Sequence, residues 1–138
     1  GVADRVHVHP ALIRRVVGTA GALRVALVTD AMAAAGCGDG RYRLGAHVVE
    51  VTGGVARLPG TATIAGSTAT MAQLFSAAVA QFDGAGDAAL VAAVQMTAVT
   101  PARTLGLDRV GGLHPGYRAN LVVLDRELRV AAVLVDGA

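Results

Sequence analysis

The stretch Val25-Ala-Leu-Val-Thr-Asp30 decides the fold prediction. Its apolar and β-branched residues are typical of a buried parallel strand, and a loop of mostly small residues follows at 31–40. A carboxylate at the carboxyl end of such a strand lies where barrel enzymes place catalytic groups. Asp30 is therefore a candidate catalytic residue. The alternative is an aspartate that caps a helix or forms a turn.

The segment before this stretch completes a strand–helix–strand unit. Residues 6–9, Val-His-Val-His, alternate as in a strand, and Pro10 suits the first turn of a helix. Residues 11–20 carry apolar side chains at helical spacing, and a second strand is predicted at 24–29. The two strands should be parallel, because a helical crossover joins them.

The remaining chain combines short strands with helices, which predicts an α/β protein. Gly53-Gly54 is expected to form a hairpin turn. Ser67 or Thr68 is expected to cap one helix and Asp87 another. Strands are predicted at 43–44, 46–52, 55–58, 120–125 and 129–135. Helices are predicted at 70–81, 88–98 and 100–106, with a loop at 83–86.

The composition argues against several classes of protein. The 138 residues carry a net charge of +2, and the arginines are scattered, whereas a nucleic-acid-binding surface needs them clustered. No run approaches the roughly 18 consecutive apolar residues of a membrane span. The single cysteine, Cys37, excludes an intrachain disulfide and a cysteine-rich metal site. Because nothing marks export, we expect a cytoplasmic protein without nucleic-acid or membrane partners.

Three local motifs carry weak chemical signals. His7 and His9 would face the same side of a strand, but with Asp30 alone they make an incomplete metal site. The stretch Gly36-Cys-Gly-Asp-Gly40 lacks the helix that follows a phosphate loop, so we interpret it as a flexible loop. Residues 64–68 precede a helix, whose free N–H groups could hold an anion.

Six segments, taken in order, resemble the N-acetylglucosamine-6-phosphate deacetylases of the amidohydrolase superfamily, and together they extend over essentially the whole chain. The two most specific are Ala3-Asp-Arg-Val-His-Val-His-Pro10 and Leu27-Val-Thr-Asp-Ala-Met-Ala-Ala-Ala-Gly36. The others are Asp39-Gly-Arg-Tyr-Arg-Leu-Gly45, Thr63-Ile-Ala-Gly-Ser67, Thr100-Pro-Ala-Arg-Thr-Leu-Gly-Leu107 and Leu113-His-Pro-Gly-Tyr-Arg-Ala-Asn-Leu-Val-Val-Leu-Asp125.

This resemblance implies the C-terminal part of a (β/α)8 metal-dependent hydrolase barrel, with its last two strands and closing helices, plus strands of a small β-sandwich. Residues 1–42 and 60–108 would belong to the barrel, and residues 43–59 and 109–138 to the sandwich. The family's metal-binding Glu and two His residues would lie upstream. A divalent zinc or iron ion would therefore be held mostly outside this segment. A homodimer is implied for the full-length enzyme.

The resemblance also assigns site residues. Asp30 matches the catalytic aspartate and is a candidate ligand at a second metal site, and His7 matches a substrate-contacting histidine. The family usually has Gly at the position of Arg5, where a long side chain could crowd the sugar pocket. The substrate-binding residues that the resemblance implies are Asp4, Arg5, Val6, His7, Ile64, Ala65 and Gly66.

The activity implied is removal of the acetyl group from N-acetylglucosamine 6-phosphate, giving glucosamine 6-phosphate and acetate. The ligand would be a phosphorylated N-acetyl amino sugar. Because the upstream ligands are absent, the isolated chain is expected to be inactive. Two alternatives stay open: another amidohydrolase acting on a cyclic amide or a different N-acyl amino sugar, and a non-catalytic fragment or assembly module.

Overall fold

The computed structural model describes residues 4–82 and 86–138, and within them the chain is an α/β protein. The helices are α1 (Pro10–Ala20), α2 (Met71–Gln81), α3 (Asp87–Val94) and α4 (Thr100–Thr104). The strands are β1 (Gly40–Leu44), β2 (His47–Thr52), β3 (Val55–Arg57), β4 (Leu121–Leu124) and β5 (Val130–Leu134). Most of the loop predicted at 83–86 lies outside the described residues.

The prediction of two parallel strands at 6–9 and 24–29 is wrong. Residues 4–8 form bends, and His9 caps α1, its Nδ1 accepting a hydrogen bond from the Ala11 N–H over 3.2 Å. Residues 22–24 form a 3₁₀ turn, and the Leu27 N–H donates to the carbonyl of Met96 over 2.9 Å. Apolar alternation identifies an extended segment but not the chain that hydrogen-bonds to it, so periodicity alone could not establish this pairing.

The two sheets are antiparallel hairpin structures. Strands β1, β2 and β3 pair in sequence order, and β4 pairs with β5 across an irregularity at residues 123–124. The predicted Gly53-Gly54 turn is confirmed: both residues have positive φ, +58° and +73°, as a two-residue hairpin loop requires. The Asp39 carboxylate accepts hydrogen bonds from both turn N–H groups, at 2.7 and 3.0 Å.

The helix starts differ from the predictions in their caps. Thr70, and neither Ser67 nor Thr68, caps α2 in a reciprocal capping box with Gln73. Gly86 precedes α3 without a side-chain cap, and Asp87 is the first helical residue. An aspartate in the first turn still interacts favourably with the helix dipole, so its preference for this end is satisfied without a capping bond.

The helices predicted at 88–98 and 100–106 form one continuous helical segment. A π-helical turn, Gln95–Val99, joins α3 to α4, and the Thr100 N–H donates to the Gln95 carbonyl. Pro101 lacks an N–H and marks the start of a helix in sequence patterns. The wider turn before it lets the helix continue, because π-bulges relieve such local interruptions.

Two apolar clusters hold the fold together. The helical core consists of Ile13, Val17, Leu27, Leu74, Ala78, Ala93 and Met96. The sheet core consists of Met32, Ala34, Val49, Val51, Ala56 and Ala65. The segment at 27–32 runs from one core to the other, since Leu27 belongs to the first and Met32 to the second. Asp30 lies between these two anchors.

Across residues 4–82 and 86–138, no helix combines the length and apolar character needed to cross a membrane.

Candidate functional site

Asp30 is held by its backbone and leaves its side chain exposed. Its φ of +51° places it in the left-handed region, which few non-glycine residues adopt and which recurs at functional sites. The Ser67 N–H donates to the Asp30 carbonyl over 2.8 Å, and the Met32 N–H donates to the Ser67 carbonyl over 3.0 Å. These two hydrogen bonds form a short parallel bridge that fixes the backbone at Asp30. The Asp30 carboxylate takes no part in the bridge.

Ser67 extends this bridge to the N-terminal segment. Only 2% of the residue is exposed, so its hydroxyl needs partners within the protein. The hydroxyl donates to Asp4 Oδ2 over 3.0 Å and accepts from the Ala69 N–H over 3.0 Å. Ser67 therefore connects Asp30 to Asp4, two residues that are far apart in the sequence.

Asp4 in turn holds His7. Asp4 Oδ1 accepts from the backbone N–H groups of Val6 and His7, at 3.0 and 2.9 Å. His7 Nδ1 lies 2.8 Å from Asp4 Oδ2. Burial by itself would raise the pKa of the Asp4 carboxyl, but the hydrogen bonds from His7, Val6 and Ser67 outweigh it and lower that pKa below its ordinary value. Asp4 is therefore a carboxylate at neutral pH.

A cleft of about 670 Å³ opens beside these residues. Five of the predicted substrate-binding residues line it: Asp4, Arg5, Val6, His7 and Gly66. The opposite parts of its wall come from the β2–β3 turn, from α2 and from residues 127–129. The structure thus brings the loop at 4–7 and Gly66 together around one open space.

Three predicted site residues do not line this cleft. Ala65 is 8% exposed and belongs to the sheet core, where its N–H donates to the Ala56 carbonyl. Ile64 forms an isolated antiparallel bridge with Arg57. Asp30 is joined to the cleft wall through Ser67. Their roles at a site stay predictions.

The geometry at position 66 favours glycine. Its φ is +74°, and a Cβ there would lie 3.2 Å from the Asp30 carbonyl oxygen and 3.2 Å from Met32 Cβ. These distances are tighter than ordinary van der Waals contact. A side chain at 66 would therefore strain the backbone and push against Asp30 and Met32.

Comparisons with known proteins identify the family. The model of the amidohydrolase family matches residues 2–138. The chain belongs to the amidohydrolase family.

Relatives of this amidohydrolase are sugar-phosphate deacetylases. It is 37% identical to the N-acetylglucosamine-6-phosphate deacetylase of Rattus norvegicus, over 99% of this chain and 32% of the relative. It is 40% identical to the putative N-acetylgalactosamine-6-phosphate deacetylase of Escherichia coli K12, over 99% of this chain and 78% of the relative. The chain thus spans about a third of the length of the rat relative and others like it.

Solved structures agree. An aspartate-to-alanine mutant of the Mycobacterium smegmatis N-acetyl-D-glucosamine-6-phosphate deacetylase, in complex with N-acetyl-D-glucosamine 6-phosphate, superposes with a TM-score of 0.94 at 52% identity. The alignment covers 99% of this chain and 35% of that one. The Thermotoga maritima N-acetylglucosamine-6-phosphate deacetylase superposes with a TM-score of 0.82 at 34% identity, and the alignment covers 99% of this chain and 36% of that one. The resemblance predicted from the sequence is confirmed.

Amidohydrolases are generally metal-dependent, but the described part of this chain does not hold a complete metal site by itself. Within the described ranges, no group of three or more His, Cys, Asp or Glu side chains lies together as a metal would need. His9 caps α1, and His7 Nδ1 is engaged by Asp4. The side chains described here therefore do not fit a complete metal site, and Asp30 could supply one ligand at most.

Ser67 is the site residue that sequence reasoning missed in this amidohydrolase. Its position after Gly66 suggested a helix cap, and the cap proved to be Thr70. The available signal was a small polar residue directly after a glycine. Such a pair predicts that the backbone packs closely against another segment, but it does not indicate which residue the serine hydroxyl contacts.

Proposed function

We propose that this amidohydrolase segment contributes to an enzyme that removes the acetyl group from N-acetylglucosamine 6-phosphate, giving glucosamine 6-phosphate and acetate. The observation that carries the proposal is the superposition on the Mycobacterium smegmatis deacetylase, which extends over 99% of this chain. That structure was solved in complex with N-acetyl-D-glucosamine 6-phosphate. The open cleft lined by residues 4–7 supports a ligand of amino-sugar size.

Asp30 is proposed as the general acid–base residue. Its carboxylate is exposed and receives no hydrogen bond from the described residues, while its backbone is fixed by Ser67. A carboxylate held this way can accept the proton of the attacking water and deliver it to the leaving amine. His7 would hydrogen-bond the sugar or its acetyl group.

A divalent zinc or iron ion is proposed for the complete enzyme, with Asp30 as a candidate ligand and the others outside this segment. Such an ion polarises an amide carbonyl and lowers the pKa of water. The described side chains alone do not form the ion's site.

The larger assembly is also part of the proposal. Residues 1–42 and 60–108 would complete a barrel, and residues 43–59 and 109–138 a β-sandwich, within a cytoplasmic homodimer. Large exposed apolar side chains, such as Leu105 (72% exposed), Leu113 (82%) and Val122 (60%), support packing against further polypeptide. The 138 residues alone are therefore expected to be inactive.

A second candidate substrate is N-acetylgalactosamine 6-phosphate. The observation that favours it is the 40% identity to the Escherichia coli protein named for that sugar, compared with 37% for the rat glucosamine-type relative. The 52% identity to the Mycobacterium smegmatis glucosamine-type enzyme keeps it the second candidate. The two sugars differ in the configuration of one hydroxyl, so a few contacts in the cleft decide between them.

A chimera tests both candidates. This segment replaces the matching third of the Mycobacterium smegmatis deacetylase, and acetate release is measured for both sugar 6-phosphates, unphosphorylated N-acetylglucosamine and a cyclic amide. We expect the highest kcat/KM for N-acetylglucosamine 6-phosphate. Preference for the galactosamine isomer would select the second candidate. A folded chimera that hydrolyses none of them would support a non-catalytic module, and preference for the cyclic amide would indicate another amidohydrolase reaction.

A further inference from the structure

Asp4 was assigned to the substrate by resemblance, but its contacts point to a different role. Its side chain is 6% exposed, and four donors within the chain reach it. They are the N–H groups of Val6 and His7, the His7 ring and the Ser67 hydroxyl, all between 2.8 and 3.0 Å.

These bonds use the capacity of the carboxylate. An ionised carboxylate is acceptor-only, with about four lone-pair sites on its two oxygens. Four donors fill them, two on each oxygen. A sugar hydroxyl could bind Asp4 only by displacing one of these partners, which would cost that donor its hydrogen bond within the protein. Asp4 is built to hold other residues.

The His7 ring is the group that this carboxylate holds. Because a carboxylate cannot donate, the proton of the 2.8 Å bond must reside on His7 Nδ1. His7 lines the cleft with 22% of its side chain exposed, so the nitrogen left for a ligand is Nε2. In a neutral ring of this tautomer, Nε2 accepts a hydrogen bond from a hydroxyl or an amide N–H.

We infer that Asp4 is a positioning residue that fixes the His7 ring as the Nδ1–H tautomer, and that Ser67 ties this pair to the Asp30 segment. The ligand then meets Nε2 of His7, and Asp4 has no contact with it. The inference rests on the proposed function for its catalytic consequence. The ring geometry stands without that function.

The first test reads the ring directly. The 138-residue chain is labelled with ¹⁵N, and long-range ¹H–¹⁵N correlations of the His7 ring are recorded at neutral pH. We expect Nδ1 to carry a proton. A protonated Nε2 with a bare Nδ1 in the wild-type chain would overturn the inference whatever the chain's activity.

Variants identify the cause of the tautomer. Asp4→Asn removes the charge with little change in shape and should shift the ring towards a mixture of tautomers, whereas an unchanged ring spectrum in this variant contradicts the assignment. Asp108→Asn is the matched control, since that side chain is 91% exposed and its ion pair, within residues 4–82 and 86–138, is with Arg109 at 3.6 Å. It should leave the His7 signals in place. Backbone amide spectra confirm that each variant is folded.

A double-mutant cycle in the chimera separates positioning from substrate contact. Asp4→Asn should lower kcat/KM about tenfold or more when His7 is present, as loss of a partner that orients a histidine does. In the His7→Ala background the same change should have less than about a twofold effect, because Asp4 acts through His7. Equal losses in both backgrounds would mean that Asp4 contacts the substrate itself. An inactive chimera would count against the proposed function and leave the NMR result standing.

Discussion

The backbone N–H of Ser67 donates a 2.8 Å hydrogen bond to the carbonyl oxygen of Asp30, while the Ser67 hydroxyl donates to Asp4. One buried serine thereby joins the candidate acid–base residue to the aspartate that holds His7. Ser67 contacts Asp30 through the backbone carbonyl, so the bond leaves the Asp30 carboxylate free to react.

Replacing Asp30 with Asn in the active chimera should lower kcat by about 10²–10⁴-fold, the range expected for loss of a general acid–base group. The fold should persist, because Asn tolerates the left-handed backbone that Asp30 adopts at φ +51°. Steady-state acetate release measures the effect. Asp136→Asn is the control, since Asp136 has the same φ but its backbone N–H is bonded to Asn120, away from the Ser67 bridge that holds Asp30. Near-normal turnover in the Asp30 variant would refute the assignment.

Replacing Gly66 with Ala should destabilise the chain by about 1–3 kcal/mol, because the new methyl group would crowd Asp30 and Met32 on a left-handed backbone. Gly18→Ala is the matched control. Gly18 lies inside α1 with open space around it, so alanine should stabilise the helix by about 0.5–1 kcal/mol. Urea unfolding measures both, and effects of the same sign would contradict the close approach at position 66.

Replacing Arg5 with Gly should raise the free energy of unfolding by up to about 1 kcal/mol. Arg5 has φ +65°, a conformation that disfavours residues with a Cβ by about 1–2 kcal/mol, partly offset by the greater freedom of glycine in the unfolded chain. This geometry fits the glycine that the motif resemblance implies at this position. Arg14→Gly, on the exposed side of α1, should instead cost about 1 kcal/mol. A destabilised Arg5 variant would show that the side chain itself holds the loop.

The lowered pKa of Asp4 predicts an acid-sensitive contribution to stability. A carboxyl whose pKa is lower in the folded than in the unfolded chain stabilises the fold above the unfolded value, and this contribution disappears as the pH falls through the folded value. Wild type should therefore lose more stability than Asp4→Asn as the pH falls from about 5 to about 2, a range that extends below the ordinary carboxyl pKa because the folded value is lower. Urea midpoints at each pH test this. Parallel pH curves for the two proteins would contradict it.

The local elements were largely predictable from the sequence. Apolar spacing located α1 and α2, and the Gly53-Gly54 pair located the β2–β3 hairpin, because both signals come from residues a few positions apart. The strands at 6–9 and 24–29 failed for the complementary reason. The first was predicted from alternation and the second from a continuous apolar run, but a strand also needs a neighbour, and the Leu27 N–H bonds to Met96 instead.

The candidate site shows the same difference between short motifs, which the sequence reveals, and long-range contacts, which it does not. Resemblance of motifs named Asp30, His7 and the loop at 4–6, and the structure gathers His7 and that loop at one cleft. It did not indicate Ser67, whose hydroxyl finds Asp4 across 63 positions of sequence. Nor did it show that the Asp4 carboxylate is already saturated.

By itself, the sequence determined the family, the helices and hairpins, and the types of residue available for chemistry, since these follow from short-range pattern and from motifs. Only the tertiary structure decided which groups meet at the Asp4 carboxylate. Hydrogen-bond capacity and burial depend on partners brought together from distant segments, and that geometry is the basis for inferring that Asp4 supports His7 and does not bind the substrate.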